Sequence, residues 1–429
     1  MPEADVQPAK LSAPRLAARS LLPLLACVGL ALLFHLVAAP LMKPLHVKLA
    51  MDIGINIILA VSLNMINGFT GQFSIGHAGF MAIGAYTAGA FTYYGGLGDV
   101  WGDESFTHGI LSWSRPLADF TGNLFTAGDI LFLAACLVGG LMAALIGLVV
   151  GLPSLRLRGD YLAVVTLGFG DIIRLLMELS DGQLKTVADI QSTPYFQRYT
   201  HLGGASAMSG LSFMTTTFWV VLFACFTLLA AFRLRMSSHG RAFLAIRENE
   251  IAAESMGVPT TRYKVAAFVL AAGFAGFAGG LFAHQSSVLN PGDYGFIKSF
   301  DILIMVVLGG QGSISGTVIA ATVITLLSEF LVRPPHLWIL GLIVILLLAV
   351  FRQRKAMRAI IMVAVATIVW EIARALALHF QINLAQYRMI LFALALVLIM
   401  ILRPQGLLGI REVWDYLPGR KRLPTEMKA

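Results

Sequence analysis

The chain predicts an all-α polytopic membrane protein with about 10–12 transmembrane helices and interrupted glycine-rich segments. Three observations lead there: 58% of the 429 residues are hydrophobic, only 13% are charged, and apolar runs recur along nearly the whole length. A chain of this size and hydropathy cannot present a soluble surface. The net charge of +8 would suit nucleic acid, but the basic residues collect in short segments between apolar runs, the mark of cytoplasmic loops. No nucleic-acid binding is expected.

Crossing the hydrocarbon takes roughly 20 apolar residues, so the runs can be taken as spans. The first, 21–39, follows Lys10, Arg15 and Arg19. It is longer than the apolar region of a leader and lacks a clear cleavage site, so it is expected to be retained, with 1–20 a cytoplasmic N-terminal segment. Further runs at 49–66, 74–94, 126–151, 161–179, 212–232 and 265–282 complete seven clear spans. Beyond them, 299–310 and 314–332 are separated by Gly309-Gly310-Gln311-Gly312-Ser313 and predict two short crossings. Runs at 337–351, 359–378 and 389–402 bring the count to twelve, with ten or eleven also compatible.

Basic residues in short loops set the orientation. Arg156 and Arg158, the group Arg233, Arg235, Arg241, Arg247, Arg262 and Lys264, the group Arg352, Arg354, Lys355 and Arg358, and the C-terminal Arg403, Arg411, Arg420, Lys421 and Arg422 all fall on one side. Both termini are then cytoplasmic. The acidic interval 95–125 and the polar interval 180–211 face outward. The expected organisation is a permease domain over 21–402, with a cytoplasmic loop at 233–264, followed by a basic cytoplasmic tail at 403–429.

Enzymatic chemistry finds no support. Cys27, Cys136 and Cys225 lie within apolar runs, which indicates neither a disulfide framework nor a metal site. There is no Gly-x-x-x-x-Gly-Lys-Ser/Thr phosphate loop and no His-Glu-x-x-His. No catalytic residue, metal or cofactor is expected, so a transporter of this kind must couple to an ion gradient or to a partner that hydrolyses ATP.

The 42 glycines are costly in water-exposed helices but useful where membrane helices approach closely or are interrupted. The stretch Asn67-Gly68-Phe69-Thr70-Gly71-Gln72-Phe73-Ser74-Ile75-Gly76-His77-Ala78-Gly79 contains a Gly-Gln-x-Ser-Ile kernel that returns at Gly310-Gln311-Gly312-Ser313-Ile314. Two such segments imply two related halves. Unwound backbone where broken helices meet offers N–H and C=O groups to a polar solute, which makes Asn64, Gln72, Ser74, His77, Gln311 and Ser313 candidates for a substrate path. Glycine-mediated helix packing is the competing explanation. Asp52, Asn56 and Asn64 share a helix face, to line a path or to bond between helices. Asp171 with Arg174, and Glu371 with Arg374, are spaced to neutralise each other. His284, at a span end, is expected at the interface.

The charged island Ser237 to Lys264 interrupts this apolar chain and must face water. Its segment with Ala252-Ala253 and Gly257, ending in Gly-Val-Pro, resembles the cytoplasmic coupling loop of ABC-importer permeases, a Glu-Ala-Ala-x-x-x-Gly motif. Here Ile251 stands at the first position and Glu250 one place earlier. A short helix stopped by glycine and proline can insert between ATPase subdomains and pass their closure to the spans. Arg241, Arg247, Glu248, Glu250, Ala253 and Gly257 are the coupling candidates.

Further stretches extend the likeness: Leu155-Arg156-Leu157-Arg158-Gly159-Asp160-Tyr161 through Gly170, Phe274-Ala275-Gly276-Phe277-Ala278-Gly279-Gly280, Val306-Val307-Leu308-Gly309-Gly310-Gln311-Gly312-Ser313, and Leu402-Arg403-Pro404-Gln405-Gly406-Leu407-Leu408-Gly409. Together they resemble the M-type permease subunit of high-affinity branched-chain amino-acid importers, over roughly residues 50–332 and 384–410. That resemblance implies a bacterial inner-membrane subunit embedded in lipid. It also implies a second permease subunit, two cytoplasmic ABC ATPase subunits and an external solute-binding protein as partners. The implied solute is leucine, isoleucine or valine, with urea, an amide or another amino acid as alternatives and an ion-coupled carrier as the rival class. The chain departs from the family at His201 to Gly210 on the outer side and in the region 333–383, expected to be an inserted helix pair.

Overall fold

A computed structural model describes residues 13–95, 127–154, 160–332, 406–409 and 412–416, with isolated helical positions between 375 and 397. The chain divides into two compact units, Met1–Thr322 with Gln405–Ala429, and Val323–Pro404. Of the second unit, the described part is mainly the end of one helix. The run at 337–351, all but isolated positions of the runs at 359–378 and 389–402, the pair Glu371 and Arg374, and nearly all of the region 333–383 lie outside the described residues.

The protein is all-α, with one antiparallel strand pair among the described residues. Helix α1 (Ala13–Leu33) continues through π and α turns to Leu41, and α2 (Pro44–Asn64) runs into a π turn, Met65–Thr70. Then come α3 (His77–Gly95), α4 (Ala127–Ser154), α5 (Asp160–Glu178), the short α6 (Val187–Ser192) and α7 (Tyr195–Arg198), and α8 (Thr217–Met236). The island forms α9 (Ser238–Glu248) and α10 (Glu250–Ser255). Then follow α11 (Thr260–Ser286), α12 (Phe296–Gly309) and α13 (Ile314–Val332). Strands β1 (Met208–Ser209) and β2 (Val288–Leu289) pair with Met208 opposite Leu289.

Every apolar run expected through 332 forms a helix. Five helices among the described residues are long and apolar enough to cross a membrane: Leu22–Leu41, Pro44–Thr70, Gly128–Pro153, Thr217–Met236 and Thr260–Ser286, with Ile314–Phe330 a shorter apolar one. Helix α3 stays outside that group because glycine and tyrosine dilute its hydropathy, and α5 because it carries Asp171, Arg174 and Glu178. Those three pair with one another, Arg174 lying 3.8 Å from Asp171 and 2.7 Å from Glu178. Exposed leucines at 22, 25, 33, 36 and 41 give α1 a face suited to lipid.

The core is a seam of α3, α4 and α11 in which backbone meets backbone. A Cβ on Gly84 would collide with the Gly276 backbone, one on Gly279 with Met81 O, and one on Gly276 with Gly139 O and Ala143. Small residues allow this approach because lipid supplies no hydrophobic drive for association, and close packing must take its place. Beside the seam lies a correction to the sequence reading: His284 is not interfacial but fully buried. Its Nε2 and the Thr92 hydroxyl lie 2.8 Å apart, Nδ1 lies 2.8 Å from Gly280 O, and the ring stands edge-on to Phe132. The helix continues past the expected span end to Ser286, and a hydroxyl on α3 satisfies the imidazole.

Far from the island, Tyr94 donates to His201 O at 2.6 Å and Tyr93 to Leu184 O at 3.1 Å, tying the polar interval 180–211 to the end of α3. Because the α3–α4–α11 contact is made by backbone, Gly276→Leu should strongly reduce the yield of folded protein, with a cost above the usual 1–3 kcal/mol of overpacking. Gly168→Ala, where a Cβ meets open space, should leave it unchanged. Fluorescence-detected size exclusion and melting in detergent check the pair.

Candidate functional site

The site begins with two helical hairpins that turn at the same end of the bundle. Helix α2 turns into α3 through residues 65–76, and α12 into α13 through 310–313. Each turn contains one copy of the Gly-Gln-x-Ser-Ile kernel, and the first glycine of each copy adopts positive φ, 69° at Gly71 and 107° at Gly310. The sequence repeat thus reflects a repeated turn.

Asn64 joins the two turns. Its Oδ1 accepts from Gly312 N at 2.9 Å and its Nδ2 donates to Ser313 O at 3.1 Å. A primary amide supplies both an acceptor and a donor in one plane, so a single side chain satisfies two backbone groups of the opposite turn. Both bonds are fully buried. Gly68 and Gly312 permit the approach, since a Cβ on Gly68 would strike Gly312 N and Asn64.

Arg247, on the last turn of α9, closes the arrangement from the island side. Its Nη1 donates to Gly68 O at 2.8 Å, and a Cβ on Gly312 would meet the same guanidinium nitrogen. A charge-assisted bond of this kind contributes about 1.5–3 kcal/mol. Burial lowers the Arg247 pKa, while neighbouring Glu248 works the other way. With a reference value above 12 the guanidinium stays charged.

The island is a corner of two helices. Ser237 caps α9, its Oγ accepting from Gly240 N at 3.1 Å, and Asn249 ends α9 and caps α10, accepting from Ala252 N at 3.0 Å. Caps of this type explain why a polar segment folds as two short helices. Phe243, Ile246 and Ala253 are buried beneath the corner. Glu250 pairs with buried Lys264 at 2.6 Å, fastening α10 to α11. Gly257 ends α10 with φ +82°, its N–H bonding Glu254 O at 2.9 Å while Val258 N bonds Ala253 O at 3.0 Å, a glycine-terminated stop. Arg241 and Glu248 face outward, as do Ile251 and Met256, which are 65% and 84% exposed.

The candidate path residues divide. Asn64 and Ser313 meet at the junction, where Ser313 Oγ also accepts from Gly316 N at 3.1 Å and so caps α13. Gln311 is half-buried on the same turn. In the other turn Asn67 holds the Ser74 backbone, accepting from its N at 3.1 Å, and His77 Nε2 lies 2.7 Å from Ser62 Oγ. Both amide atoms of Gln72, Ser74 Oγ and His77 Nδ1 are buried without a hydrogen-bond partner among the described residues. The polar face of α2 bonds between helices: Asp52 accepts from Gln285 at 2.7 Å and Asn56 from Lys298 at 3.1 Å.

Two residues that the sequence reading did not single out as site candidates belong here, Glu412 and Arg235. Glu412, 4% exposed, accepts from Ile314 N at 3.0 Å, Ser315 N at 2.9 Å and the Ser315 hydroxyl, and pairs with Arg235 at the foot of α8. Their sequence signal is weak: an acid in a basic tail and an arginine among loop arginines.

An all-α membrane bundle with a two-helix corner braced against paired glycine turns defines the class as a transport permease. The chain belongs to the family described as "Branched-chain amino acid transport system / permease component", whose model matches residues 45–351. It is 35% identical over 320 residues to the high-affinity branched-chain amino acid transport system permease protein LivM of Salmonella typhimurium, covering 70% of this chain and 67% of that protein. Against LivM of Escherichia coli the identity is 35% over 293 residues, 65% of this chain and 61% of the relative. The permease protein LivH of Escherichia coli is 24% identical over 268 residues, covering 62% and 78%. No solved structure matches the chain.

Asn64→Ala should destabilise the protein by about 1–3 kcal/mol, because it strands the buried Gly312 N–H, while Ser313 O keeps the donors of Thr317. Gln72→Ala, which removes an amide without a hydrogen-bond partner among the described residues, should be neutral within about 0.5 kcal/mol or stabilising. Thermal melting in detergent compares the two, and the reverse order would refute the junction as a structural joint.

Proposed function

We propose that this chain is the transmembrane permease subunit of an ATP-driven importer that moves branched-chain amino acids inward across a bacterial plasma membrane. It works in lipid beside a second permease subunit, two cytoplasmic ABC ATPase subunits and an external solute-binding protein, with both of its termini cytoplasmic. The names of the LivM and LivH relatives support the solute class and the pairing of two permeases. The observation that most favours ATP coupling is the α9–α10 corner, which exposes Ile251 and Met256 outward and inserts Arg247 inward.

In this mechanism the ATPases close on ATP and press on α10. Its buried Ala253 and the Glu250–Lys264 pair transmit the force to α11, while Arg247 transmits it to the turns at Gly68 and Gly312. The glycine seam makes the helices move as one body, so a push at one end tilts the whole bundle. The turn residues Asn64, Gln72, Ser74, His77, Gln311 and Ser313 border the solute path. Selectivity rests largely with the binding protein, which discriminates before the membrane step.

Reconstitution of the assembled importer should show hydrolysis stimulated by binding protein together with uptake of radiolabelled leucine. Stimulated hydrolysis without leucine uptake would redirect the search to urea, amides or other amino acids. Gradient-driven uptake by this chain alone would overturn ATP coupling. Gly257→Val places a β-branched residue at φ +82°, at a local cost of about 1–2 kcal/mol or more. Because a Cβ there meets open space, the chain should still fold, while uptake per ATP falls. Ile251→Glu with Met256→Glu should weaken co-purification of the ATPases, and unchanged recovery would remove the corner as the docking point.

A further inference from the structure

The segment beyond the last apolar run folds back onto the bundle at the second glycine turn. Leu407 N donates to Leu308 O at 2.9 Å and Leu408 N to Gly309 O at 3.4 Å, extending the backbone bonding past the end of α12. Gly406 lies so close to Gly310 that a Cβ would come within 2.6 Å of it. A few residues later Glu412 enters the same turn, held by its own backbone bond to Asp415 at 2.9 Å.

The Glu412 carboxylate performs two tasks at once. It accepts from Ile314 N at 3.0 Å and Ser315 N at 2.9 Å, the first two amides of α13, while Ser313 Oγ takes the third, Gly316 N, at 3.1 Å. Three of the four amide groups that a helix start leaves without an intrahelical partner are thereby satisfied, and a negative charge sits where the helix dipole favours it. The same carboxylate pairs with Arg235, on the last turn of α8, just before the island begins at Ser237. A cap needs only an oxygen acceptor, and a serine or asparagine would suffice. Burying a full charge at 4% exposure is expensive unless a cation answers it, and the cation that does so belongs to the helix leading into the coupling corner.

We propose that Glu412 is a positioning residue of the coupling machinery. Through Arg235 and the α13 N-terminus it clamps the Gly310–Ser313 turn to the root of the island. The island then grips the junction at two points. Arg247 holds the Gly68 turn directly, and Glu412 holds the Gly312 turn through α8. Displacement of the corner moves both turns together, so neither hairpin slides past the other as the bundle changes state. This inference rests on the importer reading above.

The test uses the reconstituted importer with partner ATPases, second permease and binding protein, and reads leucine taken up per ATP hydrolysed beside the melting temperature. Arg235→Gln leaves the α13 cap intact and removes the guanidinium that pairs with Glu412, while Glu412→Gln removes the charge from both. Each should lower the ratio about fivefold or more, the scale of a coupling free energy between sites. Arg235→Lys should recover most of it, and the double variant Arg235→Gln/Glu412→Gln should fall no further than the single ones, as for one shared contact. A wild-type ratio in Arg235→Gln, with Glu412→Gln lowering only the melting temperature, would show a helix cap and overturn the clamp. Absence of ATP-coupled uptake in the wild type would instead defeat the importer reading, and the clamp with it.

Discussion

The arrangement depends on one constraint: two backbone turns, some 240 residues apart in the chain, must meet in a buried place without leaving their polar groups unpaired. Asn64 meets that requirement because an amide offers a donor and an acceptor at once. Its partners are reachable because positions 68 and 312 carry no side chain. Once the turns are joined, the hairpins α2–α3 and α12–α13 are fixed relative to each other at this end. The opening left at Gly68 O then accepts a long cation from the island, and Arg247 fits it.

The glycine seam gives that junction mechanical meaning. Helices α3, α4 and α11 touch through backbone at Gly84, Gly139, Gly276 and Gly279, which leaves little room for one to slide along another. Close-packed elements move largely as rigid bodies or by small shear steps. The island is rooted in this seam through α11, where Lys264 is held by Glu250, and in the turns through Arg247. Exposed apolar side chains on α1 and α5 lie on the outside of that body.

The helices were legible because span length and hydropathy are local properties. The runs through 332 appear where the apolar residues placed them. The Gly-Gln-x-Ser-Ile repeat was legible too, and its glycines share positive φ at Gly71 and Gly310. What the repeated serine does was not legible: Ser313 caps a helix, whereas Ser74 lies in a segment whose helix starts only at His77. His284 was misplaced because its partner, Thr92, lies 192 residues away on another helix. Glu412 was missed for the same reason. A buried carboxylate is defined by what surrounds it, and nothing in the neighbouring sequence distinguishes it from a solvated acid. Arg247 was found, but only through the likeness of its loop to a known motif, and the carbonyl it binds was not foreseeable.

Polar groups around the junction divide into two kinds, and the division bears on mechanism. Along α2, Asp52 and Asn56 are committed to Gln285 and Lys298, which favours bonding between helices over a bare path at those two positions. In the adjoining segment Gln72, Ser74 and His77 hold buried polar atoms with no hydrogen-bond partner among the described residues, and a buried polar group left without any partner costs about 1–3 kcal/mol. A protein that must hold one conformation would be expected to satisfy or replace such groups. One that alternates between two can leave groups unpaired in the first that find partners in the second, whether backbone, water or solute. These groups cluster between the Asn64 joint and α3, beside the turn that Arg247 grips. On the importer reading proposed above, the segment 72–77 is where a push on the island would most readily exchange one set of hydrogen bonds for another.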